Sequence, residues 1–194
     1  MYNNPRKERF FSTATQLMSE MGYKAMTMRE LAARLGCDKS NIYNYTRSKQ
    51  ELLDIILFEI ADKFHKGISE IEDSSYSANE KLQAVIRLHV NLTFENPNKL
   101  HIHVNDWKFL DDDRKKIFKK RLKSYEKKIE LIVENGISEG TIRKGEISFY
   151  KNCILSSLRW LYTTDISTIR NMNPIEMEKN ISEFIFNGIL TGQN

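Results

Sequence analysis

The sequence predicts an all-α protein, and three observations support that fold class. Apolar residues recur every three or four positions along most of the chain, which is the spacing of one face of a helix. Stretches with the two-residue alternation of a half-buried strand are nearly absent. Helix start signals and Gly or Pro stop signals divide the chain into consecutive helical segments.

The first two predicted helices have clear boundaries. After Pro5, an apolar stripe continues until Gly22, which supplies a stop. The letters "TMRE" that follow have the form of a capping box. In this box Thr27 accepts a hydrogen bond from the Glu30 amide, and the Glu30 side chain returns to Thr27. The helix that the box opens is short and ends at Gly36.

A third short helix and a long fourth helix are expected next. Asp38 is the expected N-cap of a helix of about two turns that ends at Tyr45. Ser48 is the expected cap of the long helix, which continues to about residue 71. Further helical patterns follow near 79–95, 97–105, 111–135, 146–163 and 174–190.

The domain organisation follows from these segments. We predict a domain of three short helices at 1–50 and a larger helical bundle at 51–194, with 51–71 as the connecting helix. The polar stretch "EDSSYSAN" (72–79) is the best candidate for a junction.

Charge is distributed unevenly along the chain. The net charge is +4, but residues 1–50 hold nine Lys or Arg against four Asp or Glu, and the remainder holds 21 against 22. A local basic excess of this kind is typical of a surface that binds nucleic acid. The basic run at 114–128 is interpreted as a solvated helix face.

Composition also limits the compartment and the cofactors. No apolar run reaches the roughly 18 to 20 residues that span a bilayer, and the N-terminus lacks the apolar stretch of a secretory signal. Cys37 and Cys153 lie far apart and match no zinc or redox spacing. We therefore expect a cytoplasmic protein without cofactor, metal or membrane partner.

The third helix and the residues after it carry an unusual density of polar side chains. Two short helices joined at "LGCD" have the proportions of a helix-turn-helix. The second of them would turn Ile42 inward and present polar side chains to base edges, as Asn does to adenine. We expect these to be Lys39, Ser40, Asn41 and Asn44, with Tyr43, Tyr45 and Lys49 on phosphates.

The stretch "TMRELAARLGCDKSNIYNYTRSKQELL" (27–53) resembles the DNA-binding signature of the tetracycline-repressor (TetR) family. The residues in register are Thr27, Leu31, Ala32, Gly36, Ile42, Tyr43, Tyr45, Ser48, Lys49 and Leu52. Asp38 stands where the family usually has Ser, and Thr46 stands where it usually has Phe. The first is an equally good cap, and the second is expected to loosen packing against the first helix.

The resemblance implies an N-terminal three-helix DNA-binding domain and a C-terminal domain for ligand binding and dimerisation. It implies a homodimeric repressor that binds a double-stranded DNA operator and is released by a small-molecule inducer. Together with the polar face of the third helix, it makes the predicted DNA-binding residues Thr27, Lys39, Ser40, Asn41, Tyr43, Asn44, Tyr45 and Lys49. An activator, or a regulator that needs no ligand, would use the same helices.

Candidate ligand contacts are large side chains that carry a polar group. The predicted pocket residues are Asn91, His101, Trp107, Tyr125 and Trp160, although the same side chains suit an ordinary core. Residues 107–143 also resemble TetR-like regulators of fatty-acid and acyl-CoA metabolism, which would make the inducer lipid-like. A metal site at "HIHVND" is disfavoured, because residues two apart on a helix point to different faces.

Two apolar stripes near the C-terminus predict a dimer interface. They contain Ile154, Leu158 and Leu161 in one helix and Ile181, Phe184 and Ile185 in the next. Two such helices per subunit would make a symmetric four-helix bundle. The alternative is that both stripes are buried within one chain.

An enzyme is the rival of another class. His101 or His103 would then act as general base and Ser156 as nucleophile. No nucleophile elbow or oxyanion-hole signature accompanies them, so the predicted function is a DNA-binding regulator and not an enzyme.

Overall fold

The structure is a computed structural model, and it describes residues 4–190. Over this range the chain forms ten α-helices and one 3₁₀ turn. They are α1 (Pro5–Ala25), α2 (Met28–Leu35), α3 (Lys39–Ile42), α4 (Lys49–Glu72), α5 (Ala78–Glu95), α6 (Pro97–Asn105), the turn (Trp107–Phe109), α7 (Asp112–Ser138), α8 (Ile147–Thr163), α9 (Ile166–Arg170) and α10 (Pro174–Ile189). The described residues contain no strand beyond an isolated antiparallel bridge between Ile142 and Leu190. The predicted all-α fold is confirmed.

Most of the predicted helix starts are capped as expected. The Glu30 amide donates to the Thr27 hydroxyl at 3.2 Å, and the Thr27 amide donates to the Glu30 carboxylate at 2.7 Å. Before α4, the Glu51 amide donates to the Ser48 hydroxyl at 3.0 Å. Asp38 has the extended backbone of an N-cap, but its side chain makes no capping bond.

The first helix is interrupted at the glycine that predicted its end. Gly22 has a φ of +78°, in the left-handed region that side chains with a Cβ rarely adopt. The apolar stripe of α1 therefore ends at Gly22, and one further turn leads to Ala25. The third helix is shorter than predicted, because helical geometry stops at Ile42 and not at Tyr45.

The chain divides into two compact units. Of the described residues, the N-terminal unit contains 4–60 together with Asn98–Phe118, and the C-terminal unit contains Ala61–Pro97 together with 119–190. The division differs from the expected boundary at residue 50. Apolar side chains at 51–60 and 98–118 are buried with those of the first helices. The assignment of functions to 1–50 and 51–194 remains a prediction.

One apolar core holds the N-terminal unit together. Its buried members are Phe10, Phe11, Ala14, Leu17, Met18, Met26, Leu31, Ala32, Ile42, Leu52, Leu53, Ile56, Leu57, Phe58, Ile102, Leu110 and Phe118. The Phe58 and Phe118 rings meet edge to face with centroids 6.2 Å apart. The C-terminal unit has its own buried apolar residues on α5, α7, α8 and α10.

Asp106 is a buried carboxylate in the N-terminal unit. Its Oδ2 accepts a hydrogen bond from the Tyr23 amide at 3.3 Å, directly after the break at Gly22. Burial raises the pKa of Asp106 above its usual value, although the Tyr23 amide and then the charges of His101 and Lys108 oppose this rise. The ionised carboxylate is therefore less favourable here than in the unfolded chain.

This raised pKa predicts a pH dependence for Asp106→Asn. Because the folded state of the wild type binds the proton more readily than the unfolded state, its stability falls as pH rises from the unfolded to the folded pKa of Asp106. The Asn variant lacks this dependence. Its melting temperature relative to wild type should therefore rise with pH over that interval. An unchanged difference, measured by circular dichroism across the acid range, would contradict the account.

Candidate nucleic-acid interface

The outer face of α3 is polar and exposed. Lys39, Ser40 and Asn41 all face solvent, whereas Ile42 is fully buried. Ile42 is thus the anchor that fixes this four-residue helix on the core. Within residues 4–190, the three exposed side chains make no hydrogen bond or ion pair, so each is available to an external partner.

The turn after α3 extends the same surface. Tyr43 is 48 % exposed, and Asn44 also faces solvent. Neither side chain has a hydrogen-bond partner among the described residues. An amide and a phenol hydroxyl offer donors and acceptors to bases or phosphates.

Tyr45 has a packing role as well. Its ring stacks on Phe10 of α1 with centroids 4.8 Å apart and planes at 20°. Phe10 in turn meets Phe11 edge to face at 5.1 Å. The Tyr45 hydroxyl has no hydrogen-bond partner within the described part of the chain. The ring is therefore fixed by the core while the hydroxyl remains free to donate.

Thr46 is buried, and its hydroxyl lies 3.0 Å from the Ser48 carbonyl and 3.1 Å from the Glu51 carboxylate. The Arg47 amide also donates to that carboxylate and is the largest cause of the lowered pKa of Glu51. The expectation that Thr46 would loosen packing is therefore corrected. The small hydroxyl closes the turn into α4 by hydrogen bonds that a Phe side chain could not make.

The amino group of Lys49 forms its hydrogen bonds within the protein. It donates to three carbonyls at the end of α1, those of Tyr23 at 2.9 Å, Met26 at 3.0 Å and Lys24 at 3.3 Å. The amine also lies 4.5 Å from the centroid of the Tyr23 ring. An ammonium has three N–H donors, and all three have acceptors inside the protein. In the protein without DNA, Lys49 thus has a structural role, and its phosphate contact remains a prediction.

Thr27 is likewise engaged within the chain. Its hydroxyl accepts from the Glu30 amide and donates to the Glu30 carboxylate at 2.8 Å. Thr27 is exposed, but its side-chain hydrogen is already used in the cap. Its predicted DNA contact would have to come from the remaining acceptor capacity of the oxygen or from the backbone.

Two exposed arginines were missed by the sequence reading. Arg29 on α2 and Arg47 before α4 face solvent, and within the described chain their guanidinium groups make no ion pair. Arg34, by contrast, pairs with Glu20 at 3.0 Å. The family signature specifies no residue type at positions 29 and 47, so it could not identify these arginines. Only the local excess of basic residues indicated them.

Comparison with known protein families agrees with this arrangement. The family described as "Bacterial regulatory proteins, tetR family" matches residues 10–56. A second, "Tetracyclin repressor-like, C-terminal domain", matches residues 75–163. The chain belongs to the TetR family. It is a DNA-binding transcriptional regulator of this family.

Individual relatives are distant but nearly full-length. The fatty acid metabolism regulator protein of Bacillus subtilis (strain 168) is 21% identical over 95% of this chain and 96% of its own length. The HTH-type transcriptional repressor KstR2 of Mycolicibacterium smegmatis is 21% identical over 80% and 78%. The crystal structure of AibR in complex with isovaleryl coenzyme A and operator DNA has a TM-score of 0.81, with 21% identity over 93% and 98%.

The five predicted pocket residues of this TetR protein are distributed over both units, and one of the five is buried. Asn91 and Trp160 lie on the surface of the C-terminal unit, and Trp160 is 39 % exposed. His101 and Trp107 belong to the N-terminal unit, where Trp107 stacks on Phe118. Tyr125 alone is buried in the C-terminal unit. Their assignment to one pocket remains a prediction, because periodicity indicates burial but not which distant segments lie together.

Tyr125 belongs to a buried polar cluster that the predicted pocket missed in part. His89 Nε2 and the Tyr125 hydroxyl lie 2.6 Å apart, and His89 Nδ1 is hydrogen-bonded to the Tyr162 hydroxyl. These three residues come from α5, α7 and α8. We call them the His89 cluster. Their separation in sequence hides their proximity.

The predicted dimer residues are core residues in five of six cases. Ile154, Leu158, Leu161, Ile181 and Ile185 are buried within the chain's own C-terminal unit, so the interface assignment is corrected for them. Phe184 is 72 % exposed. An apolar stripe at helical spacing indicates that its residues are buried. The pattern does not indicate whether the same chain or a partner chain buries them.

Neither a metal site nor a membrane segment is found in residues 4–190. No group of three or more His, Cys, Asp or Glu side chains is placed to hold an ion, and no helix is long and apolar enough to cross a bilayer.

In the basic run of α7, Arg114 pairs with Asp54 at 3.0 Å and Lys128 with Glu72 at 2.6 Å.

The placement of Lys49 predicts a difference between two lysines. Lys49→Ala removes the donor to three carbonyls and should lower the free energy of unfolding by about 1–3 kcal/mol. Lys39→Ala, at an exposed position without partners in the described part of the chain, should change it by less than about 0.5 kcal/mol. Urea unfolding followed by circular dichroism measures both. Equal stabilities of the two variants would contradict the structural role of Lys49.

Proposed function

We propose that this TetR-family regulator is a homodimeric repressor that binds a palindromic operator and leaves it when a small molecule binds the C-terminal unit. The exposed row from Lys39 to Asn44 is the observation that carries this proposal. The row is polar, has no partners within the described chain, and is fixed from beneath by Ile42. Such a face suits the recognition helix of a helix-turn-helix.

The side chains divide into base readers and phosphate binders. Asn41 and Asn44 offer amides for bidentate contact with adenine edges. Tyr43 and the free hydroxyl of Tyr45 donate to phosphates, and the charges of Lys39 and Arg47 add to the backbone contacts. Arg29 extends the basic surface on α2.

Exposed apolar residues on α8 and α10 support a homodimer. Phe149 and Trp160 are exposed on α8, and Ile175 and Phe184 on α10. Large apolar side chains left in water on neighbouring helices mark an interaction surface. A second copy of the chain, related by a two-fold axis, is the occupant that this proposal assigns to them.

The symmetry of the dimer would dictate the symmetry of the DNA. Two recognition helices related by a two-fold axis read inverted half-sites, roughly 34–36 Å apart for successive major grooves. An inducer that binds better to a state with another spacing shifts the population away from DNA.

The relatives guide the choice of inducer and mode of action. One is named as a fatty acid metabolism regulator, one as a repressor, and one was solved with isovaleryl coenzyme A. We extend these properties to this chain as a repressor that responds to a lipid or acyl-CoA-like molecule. It would act in the cytoplasm, where its operator lies.

Selection from a random duplex pool tests the proposed function. The purified protein should enrich a palindromic sequence. Its affinity for the selected duplex should fall steeply as the salt concentration rises, because phosphate contacts release counterions. No enrichment by a folded dimer would contradict operator binding, and an asymmetric winner would contradict symmetric reading.

Variants of the selected complex separate base reading from phosphate binding. Asn44→Ala should weaken the preferred site by about 1–3 kcal/mol relative to single-base variants at the contacted position. Tyr43→Phe should weaken all these duplexes equally, because a phosphate bond carries no sequence information. Fluorescence anisotropy with a set of operator variants measures both. A uniform loss for Asn44→Ala would contradict its role as a base reader.

The dimer is tested at an exposed aromatic. Phe184→Asp should convert the dimer to a monomer, since the charge would be buried against the partner. Leu131→Asp, on an exposed position of α7, serves as the matched control and should remain dimeric. Sedimentation equilibrium decides between these outcomes, and a dimeric Phe184→Asp protein would exclude this face.

A further inference from the structure

His89 lies among aromatic side chains at a buried position in the C-terminal unit. Its ring centroid is 4.9 Å from that of Phe64, 5.7 Å from Tyr125 and 5.9 Å from Tyr162. All four side chains are buried. Four helices, α4, α5, α7 and α8, each contribute one of these rings, and all four rings lie in the C-terminal unit. An apolar core of this size does not require a histidine and two phenol hydroxyls at one point.

The hydrogen bonds of the His89 cluster leave a hydrogen without an acceptor. In a neutral imidazole one ring nitrogen donates and the other accepts. The tyrosine bonded to the accepting nitrogen donates its hydroxyl hydrogen. The tyrosine bonded to the donating nitrogen accepts with its oxygen, so its own hydrogen is left over. If the imidazole were protonated, both nitrogens would donate and two hydroxyl hydrogens would be left over.

No other group among the described residues takes up this hydrogen. His89 is the sole hydrogen-bond partner of both hydroxyls within residues 4–190. Burial raises the pKa of Tyr125 and of Tyr162 above the usual value for tyrosine, so both hydroxyls keep their hydrogens. A buried donor without an acceptor is unfavourable and calls for an explanation, and a ligand that supplies the acceptor is one such explanation.

We propose that the His89 cluster is the polar end of the inducer site and that it binds an uncharged carbonyl oxygen of a ketone, ester or thioester. The carbonyl accepts the spare hydroxyl hydrogen of Tyr125 or Tyr162. The apolar body of the ligand lies against Phe64 and the neighbouring rings. This inference rests on the proposed function, in which a small molecule controls DNA binding.

The surroundings of the His89 cluster favour an uncharged group. The buried residues of the described C-terminal unit include no Lys, Arg, Asp or Glu, and its buried polar side chains are His89, Tyr125, Tyr162, Thr93 and Ser182. The Thr93 hydroxyl is already used, since it donates to the His89 carbonyl at 2.8 Å. A carboxylate at this point would have no buried lysine or arginine to pair with, and only the charge of the exposed Arg159 acts on Tyr162.

Binding must separate rings that now touch. Phe64 is in ring contact with both Tyr125 and Tyr162, with centroids 5.7 and 6.3 Å apart. A ligand that reaches the hydroxyls has to displace one of these rings, which lie on different helices. Entry of the carbonyl compound thus changes the ring packing between α4, α7 and α8 in this unit.

A panel of uncharged carbonyl compounds tests the proposal by titration calorimetry. The panel contains a nine-carbon methyl ketone, a fatty-acid methyl ester and a steroid ketone, each with the hydrocarbon that lacks the carbonyl and with a carboxylate of similar size. At least one carbonyl compound should bind about tenfold more tightly than its hydrocarbon, the value of one hydrogen bond. The carboxylates should bind more weakly than the carbonyl compounds.

Two conservative variants locate the donor. In either Tyr125→Phe or Tyr162→Phe, the preference for the ketone over its hydrocarbon should disappear, because the spare hydroxyl is gone. Tyr76→Phe, at an exposed tyrosine of the same unit, is the matched control and should keep the preference. A preference retained in both variants would overturn the proposal, as would tighter binding of a carboxylate.

Infrared spectroscopy of the wild type covers the case in which a variant fails to fold. The carbonyl stretch of the bound ketone should shift to lower frequency than in an alkane, and an unshifted band would overturn the proposal. Operator binding is measured on the same protein preparation in the absence of any carbonyl compound. Loss of operator binding contradicts the proposed function, whereas intact operator binding without any bound carbonyl compound contradicts only the inference about the His89 cluster.

Discussion

The Lys49 amino group connects the start of α4 to the end of α1 through three backbone carbonyls. The last carbonyls of a helix have no partners within the helix, and a cation is also favourable there because of the helix dipole. With these groups satisfied, α1 can end beside the break at Gly22 and α4 can begin close by. The short helices between them therefore have fixed ends.

This fixed frame explains how a four-residue helix can carry a recognition surface. A helix as short as α3 is not stable by itself. It is positioned from beneath by Ile42, from one side by the stacking of Tyr45 on Phe10, and from its end by the hydrogen bonds of Thr46. Buried and half-buried residues thus hold α3 in place, and Lys39 to Asn41 and Asn44 have no hydrogen-bond or ion-pair partners among residues 4–190.

A similar separation of roles occurs in the C-terminal unit. The apolar stripes of α8 and α10 form the chain's own core, while Phe149, Trp160, Ile175 and Phe184 remain outside. In the interior, the His89 cluster interrupts an otherwise apolar core. Apolar packing stabilises this unit, and the His89 cluster is the proposed position at which a bound ligand changes that packing.

Local chemistry was predictable from the sequence, and long-range pairing was not. The caps at Thr27 and Ser48, the break at Gly22 and the inward position of Ile42 follow from residues at most four positions away. The bond between Lys49 and Tyr23, or between His89 and Tyr162, joins residues 26 and 73 positions apart. Periodicity could not reveal that Ile154 is buried by its own chain, nor that residues 98–118 pack with the N-terminal helices.

The salt dependence of operator binding tests the central claim, which is that Lys49 supports the recognition surface and Lys39 belongs to it. The slope of log affinity against log salt counts the phosphates that the protein contacts. Lys39→Met should reduce this slope by about one. Lys49→Met should weaken binding while leaving the slope of the folded protein unchanged. A reduced slope for Lys49→Met, with an unchanged slope for Lys39→Met, would contradict the account.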